Sequence, residues 1–406
     1  MKILMITPYL PYPPLSGGQT RSYNLIRYLS KNHQITLFSF IRQKEENQQV
    51  KVLRKYCQKI RTFDRGPAWS IKKILFAGLT PYPFLVANYY SRQLQKAIKE
   101  ELKTNRYDLI HVECFYLMPN LKGQKKIPVV LVDQTIEYEV YRHVAKTLPA
   151  HLFFLKPFYY LDAAKVYFWE KRFWEKADQT AAVSEDDKKV IKKHLPKLSV
   201  AVVENGVDPD QFIKRTYRRA SQPAVLFGVA NFKWIQNREA AEILLKEIWP
   251  QIKKRVKNAQ LWIIGRYAPL YFGNFDNHKL GITVKEAENV NYFYQKAWLL
   301  LAPIKSGGGS RTKFFEAMAA GLPIITTPDG AEGLRAKNNR EIIIAKSDQA
   351  LVKKSLLLIR NKKLAQKIGK NGQKLVLAKY TWGKSAQALE EVYQRVAEKQ
   401  KDKTAQ

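Results

Sequence analysis

The sequence predicts an α/β protein made of two Rossmann-like domains in tandem, each built on a parallel sheet. Three observations carry this expectation. At about 150 residues per domain, a chain of 406 residues needs more than one core. Short runs of β-branched and other apolar residues alternate with segments of helical periodicity along its length. The alternation halts at one turn-rich stretch and then begins again.

In the first half, strands are expected at Lys2–Ile6, Ile35–Phe40, Leu109–Val112, Val129–Val132, Thr180–Val183 and Val200–Val203, with helical spacing over Tyr23–Leu29. These strands are continuous apolar runs, as a sheet covered by helices on both faces requires. The first domain is therefore 1–203. Asn205-Gly206, Asp208-Pro209 and a basic stretch ending at Pro223 make 204–222 a linker. Strands resume at Val225–Val229, Leu261–Ile264, Ile282–Val284, Leu299–Leu301, Ile324–Thr326 and Ile342–Ile344, separated by helices such as Glu239–Val256, which gives a second domain over 223–380. Within a last helix, 381–397, the residues Trp382, Ala386, Leu389, Val392 and Val396 fall on one stripe that must pack on something. The polar tail 398–406 is expected to fray.

Composition excludes several classes. With 46% apolar and 12% aromatic residues the chain is globular, not disordered or collagen-like. Seventy Lys and Arg against 35 Asp and Glu give a net charge of +35, which suits phosphorylated ligands, an anionic membrane or nucleic acid. Lysines are spread along the chain without a basic arm, and no nucleic-acid module is recognisable, so no nucleic-acid partner is expected. Cys57 and Cys114 have no metal-ligand or CxxC spacing, so no zinc site, no disulfide framework and a reducing, cytoplasmic setting are expected. The apolar run Ile3–Ile6 breaks at Pro8, and Ala297–Ile304 is under half of the ~20 residues that cross a bilayer. Membrane contact is therefore expected to be peripheral.

The segment SGGGSRTKFFEAMAAGLP, Ser306 to Pro323, follows a strand and opens a helix. Gly307, Gly308 and Gly309 let a ligand approach the backbone, Ser310 is a good N-cap, and the helix start attracts anions. Arg311 and Lys313 are uncomfortable there unless a diphosphate resolves the conflict. Glu316, one turn on, has two readings: an exposed ion pair with Lys313, or an acceptor for a ribose diol. A second glycine pair, Gly17-Gly18, follows the first strand, where a ligand crevice is expected. There is no GxGxxG and no P-loop.

Together with Val183-Ser184-Glu185, Glu204-Asn205-Gly206-Val207-Asp208 and Glu316-Ala317-Met318-Ala319-Ala320-Gly321, these motifs resemble, over nearly the whole chain, a GT-B glycosyltransferase of the family-four (group 1) type. The branch is the one whose donor loop reads Gly-Gly-Gly-Ser/Thr-Arg-x-Lys, found in enzymes that build cell-surface glycans. The resemblance implies two Rossmann-like domains with parallel sheets facing a cleft, and an acceptor on the first domain. It also implies transfer of a sugar from a nucleotide diphosphate sugar, with retention and without a metal or bound cofactor. By the same resemblance Glu316 holds the ribose, while Arg311 and Lys313 neutralise the leaving diphosphate. Gly17 and Gly18 let the backbone reach that diphosphate, Lys233 and Arg238 add phosphate contacts, and the last helix returns to the first domain. The sequence departs from the family twice. Gly308 stands where many members carry a carboxylate facing the donor sugar, and Gln134 stands where relatives often have a catalytic histidine, leaving Glu113, Asp133 and Glu137 as carboxylates near that face. The alternative within this architecture is a nucleotide-sugar epimerase or a sugar phosphorylase.

Two stretches bear on a membrane partner. From 151 to 178 ten aromatic residues interleave with lysines and arginine, a pattern that suits an interfacial helix. Its position directly before a strand favours the core for most of these rings. Ser70–Leu79, with Ile71, Ile74 and Leu75 beside Lys72-Lys73, is a second amphipathic candidate, and lipid-linked acceptors would explain both.

Overall fold

A computed structural model describes residues 1–124, 126–213, 218–287, 290–305 and 312–405. They divide into two units: residues 1–205 with the helix Trp382–Ala405, and the described residues from 206 to 381.

The first unit holds seven parallel strands, β1 (Lys2–Thr7), β2 (Gln34–Ile41), β3 (Lys59–Asp64), β4 (Leu109–Glu113), β5 (Val129–Asp133), β6 (Gln179–Ala182) and β7 (Val200–Val202). Their order is β3-β2-β1-β4-β5-β6-β7. Successive side chains of a strand point to opposite faces, and β1 shows the result. Ile3 and Met5 join Leu25, Ile26, Leu389 and Val392 in one core layer. Leu4 and Ile6 join Phe38, Ile98, Val166 and Trp174 in the other. Each fully buried aliphatic side chain contributes about 1.5–3 kcal/mol, so a strand apolar at every position is stabilised from both sides.

β3 has no counterpart among the expected strands. Its sequence KIRTFD mixes charge with apolar residues because it lies at the sheet edge, where Lys59 reaches out to Glu101 at 2.6 Å. The C-terminal helix packs its expected stripe, with Trp382, Ala386, Leu389, Val392 and Val396 all buried. It also continues to Ala405, so the polar tail expected beyond 397 is helical through that residue. Residues 398–405 are largely good helix formers and extend a helix already nucleated by packing.

The second unit repeats the plan with β8 (Ala224–Asn231), β9 (Gln260–Arg266), β10 (Ile282–Lys285), β11 (Leu299–Ala302), β12 (Ile324–Thr326) and β13 (Ile343–Ile344). All pairs are parallel, in the order β10-β9-β8-β11-β12-β13. The helix expected over Glu239–Val256 is three pieces: Ile235–Ile243, a widened π turn at Leu244–Ile248, and Trp249–Arg255. Pro250, lacking an N–H, cannot complete the regular ladder there. The stretch read as a linker makes contacts of its own. Val207 N donates to Tyr380 O at 2.9 Å, Phe212 joins the core of the second unit, and Arg219 Nη2 donates to Gly321 O at 3.0 Å. Described residues from 206 to 222 thus pack on the second unit.

Candidate active site

Strand order reverses between β1 and β4 in the first sheet and between β8 and β11 in the second. In open α/β sheets, ligands bind outside the carboxyl ends of the strands at such points. Gly17-Gly18 follows β1, and in the sequence the three consecutive glycines come after β11.

In the first unit, the helix Gly17–Leu29 opens with Ser16, whose Oγ accepts from Gln19 N at 3.3 Å. Gly18 is required by its surroundings, since a Cβ there would lie 1.9 Å from Tyr9 Oη and 2.5 Å from Gln134 Oε1. Tyr9 Oη donates to Gln134 Oε1 at 2.8 Å, and Gln134 Nε2 donates to Glu113. His111 and Glu113 are two apart on β4 and so share a face, with His111 Nε2 3.1 Å from Glu113 Oε1. Tyr393, from the C-terminal helix, places its hydroxyl 2.6 Å from His111 Nδ1.

Electrostatics give this chain a direction. Burial would raise the Glu113 carboxyl, but the hydrogen bond and charge of His111, together with Arg21 and Gln134, outweigh it and hold the group below the usual carboxylate value. Burial pushes the Tyr9 and Tyr393 hydroxyls well up, so both keep their protons. A carboxylate only accepts, which fixes the orientation of the Gln134 amide and makes His111 Nε2 the donor to Glu113. Arg21 is 1% exposed and donates from Nη1 to Asn205 Oδ1 at 2.9 Å; among the described residues its Nε and Nη2 make no hydrogen bond.

The other carboxylates at this edge are built in. Asp133 accepts from Phe115 N at 2.8 Å and from Trp174 Nε1 at 2.5 Å, while burial raises it to about 7. Glu137 is raised to about 8 by burial and the nearby Asp133 charge. Buried Glu170 caps the helix Glu137–Lys146, accepting from Glu137 N at 2.8 Å and Tyr138 N at 3.1 Å. Cys114, directly after β4, has φ 74° and ψ 137°, a positive φ that few non-glycine residues adopt.

Gly307, Gly308, Gly309, Ser310 and Arg311 lie outside the described residues. The helix Thr312–Ala319 buries Phe314, Phe315, Ala317, Met318 and Ala319. It ends in a Schellman pattern, with Gly321 at φ 64°, Gly321 N donating to Met318 O, and Leu322 N to Ala317 O. Lys313 Nζ donates to Asn237 Oδ1 at 2.7 Å and lies 5.2 Å from the Phe227 ring centroid. Glu316 accepts a hydrogen bond from buried Tyr294, yet burial still lifts its carboxyl to about 7. Lys233 Nζ sits 4.3 Å over the Tyr267 ring, and Arg238 stacks 4.9 Å from Tyr271, contacts that orient a cation without neutralising it. The arrangement thus brings Lys313 to the 231–238 segment through Asn237. Among the described residues no group of three or more His, Cys, Asp or Glu could hold a metal, and no helix is long and apolar enough to cross a membrane.

Sequence reasoning missed Arg21, His111, Asn237, Tyr294 and Tyr393. An arginine four residues before Leu25 on the buried stripe, and a His-x-Glu pair ending an apolar strand, were the available signals for the first two.

Residues 15–211 match the model of glycosyltransferase family 4, and residues 223–361 match that of the glycosyl transferases group 1. The fold and these two matches define a glycosyltransferase of GT-B architecture. More particularly, the chain is a group 1 glycosyltransferase. An uncharacterized 44.6 kDa protein of the cps region of Klebsiella pneumoniae is 21% identical over 373 residues, covering 88% of this chain and 90% of that protein. Sucrose-phosphate synthase from Thermosynechococcus elongatus has the same fold at TM-score 0.71 and 15% identity, over 98% of this chain and 99% of that one. WaaG, a glycosyltransferase of lipopolysaccharide biosynthesis, matches at TM-score 0.64 and 14% identity, over 95% and 98%. Anabaena HepE, solved with UDP and glucose, matches at 0.63 and 12%, over 97% and 100%.

Proposed function

We propose that this glycosyltransferase moves a sugar from a nucleotide diphosphate sugar to a glycan or lipid-linked acceptor in cell-surface polysaccharide synthesis, working in the cytoplasm at the inner face of the membrane. The bond between the anomeric carbon and the diphosphate oxygen breaks, a bond to an acceptor oxygen forms with retention, and nucleoside diphosphate departs. The observation that carries the reading is Lys313 held against Asn237 at the start of a helix that follows the switch strand β11. The leaving diphosphate gains charge in the transition state, where oriented cations act most strongly. Lys313 and Arg311 take that role in place of a metal, as members of a Gly-Gly-Gly-Ser-Arg-x-Lys donor loop. Gly307, Gly308, Gly309 and Ser310 cradle the phosphates with Gly17 and Gly18, Lys233 and Arg238 add contacts, Glu316 takes the ribose, and Gln134 makes the catalytic contact on the acceptor side. The HepE complexes with UDP and UDP-glucose and the cps-region relative support the donor class and the setting.

The test is a panel of nucleotide sugars scored by thermal shift and then by nucleoside diphosphate release with and without an acceptor. Release only with an acceptor is expected. Interconversion of free sugar nucleotides without one would identify an epimerase instead.

A further inference from the structure

Two helices of the first unit turn their apolar stripes outward. In Ile71–Leu79 none of the residues is buried. Ile71, Ile74, Leu75 and Leu79 are spaced as one helical face and are 77%, 49%, 54% and 84% exposed. The opposite face holds the helix down. Lys73 Nζ donates to Arg65 O and Pro67 O at 2.8 and 2.7 Å, and Phe76 stacks on Tyr82 at 6.0 Å. A helix attached by its lysine and presenting its aliphatic residues to solvent is inverted relative to an ordinary surface helix.

The helix Lys156–Lys176 does the same on one side. Val166, Phe173 and Trp174 are buried, while Phe158, Leu161 and Phe168 are exposed. Of the ten rings between 151 and 178, only Phe173 and Trp174 are buried, and Phe153, Phe154, Phe158, Tyr160 and Phe168 are exposed. The core expected for most of them is not where they lie, because one face of the helix already fills the sheet layer and the other has nothing left to cover. The two stripes adjoin. Lys165 lies on the same face as Leu161 and Phe168, and its Nζ donates to Ala77 O at 2.6 Å and Thr80 O at 2.9 Å, beside Leu79.

We infer that these adjoining stripes form the surface by which the protein seats on an anionic lipid bilayer, with the apolar side chains entering the headgroup boundary and the flanking cations meeting lipid phosphates. Contiguous exposed apolar surface of this kind marks an interaction site. Its charge selects the partner: Lys72, Arg172 and Lys176 are exposed around it. On the long helix, Asp162 is turned to Phe84 N at 2.8 Å and Glu170 is buried, leaving Glu175 as the exposed acid. An aromatic and aliphatic face edged by cations fits an interfacial helix at anionic lipid. The inference rests on the membrane placement proposed above and adds the surface that achieves it.

The experiment is cosedimentation of the full chain, without donor or acceptor, with phosphatidylcholine vesicles containing phosphatidylglycerol and with phosphatidylcholine alone. Tight binding only to the anionic vesicles is expected. The double variants Ile71→Asp/Leu75→Asp and Phe158→Asp/Phe168→Asp should each weaken it about tenfold or more while melting like the parent. Trp69, 71% exposed beside the first stripe, should be quenched by lipids brominated in the acyl chains, and Trp69→Phe should remove that quenching. Parental binding retained by both double variants would overturn the assigned surface and leave the membrane placement standing. No binding by the parent would overturn both. A dimer in sedimentation velocity that both variants disperse, without vesicle binding, would assign the face to a second copy and overturn the inference.

Discussion

The hydroxyl of Tyr393 lies 2.6 Å from Nδ1 of His111, joining the C-terminal helix to the polar chain that runs through Glu113 and Gln134 to Tyr9. The imidazole is thus held from both sides, by Tyr393 at Nδ1 and by Glu113 at Nε2.

Tyr393→Phe should leave a buried imidazole nitrogen unpaired and cost about 1–3 kcal/mol of stability, read by urea unfolding. If His111 also steadies Glu113, kcat should fall with KM for the donor unchanged. An unchanged unfolding midpoint would mean that water replaces the lost hydroxyl.

Glu316 predicts a pH dependence with a definite sign. Its carboxyl is lifted from 4.5 to about 7 by burial. The contribution it makes to folding is therefore fully present below about 4.5 and disappears as pH rises through about 7. Parent minus Glu316→Gln stability, measured in urea from pH 4.5 to 8, should fall across that window. A flat difference would show that the group titrates normally. The same variant should bind nucleoside diphosphate more weakly in calorimetry.

Lys313→Ala should lower turnover about 100-fold or more if the ammonium stabilises the leaving diphosphate, with melting nearly unchanged. Asn237→Ala keeps the cation but frees it from its 2.7 Å anchor, so a smaller loss is expected, rescued in part by Asn237→Ser. Equal losses in the two variants would assign the effect to local structure.

Gly18→Ala would force Tyr9 Oη, 1.9 Å from the new carbon, to leave Gln134. Lower stability and turnover are expected, with partial recovery when Tyr9→Ala vacates the space. Parental behaviour of Gly18→Ala alone would show that Tyr9 moves aside without consequence.

Much of the fold is legible because strands such as β4 and β5 are apolar at nearly every position, a pattern that burial on both faces imposes. β3 is not, since an edge strand spends half its positions on solvent. The glycines at 17 and 18 are legible as a close approach, but not the residues that approach. His111 and Tyr393 are 282 residues apart, and nothing local in either segment announces the other. Periodicity also fails to tell inside from outside: the helix Lys156–Lys176 carries apolar residues on both faces, so its spacing alone could not show which rings are covered.

Ile3 and Val396 belong to one core layer of the first unit. On a ribosome, β1 must therefore wait for a helix that is synthesised only after the second unit. Until then that layer lacks the cover that Ala386, Leu389, Val392 and Val396 supply.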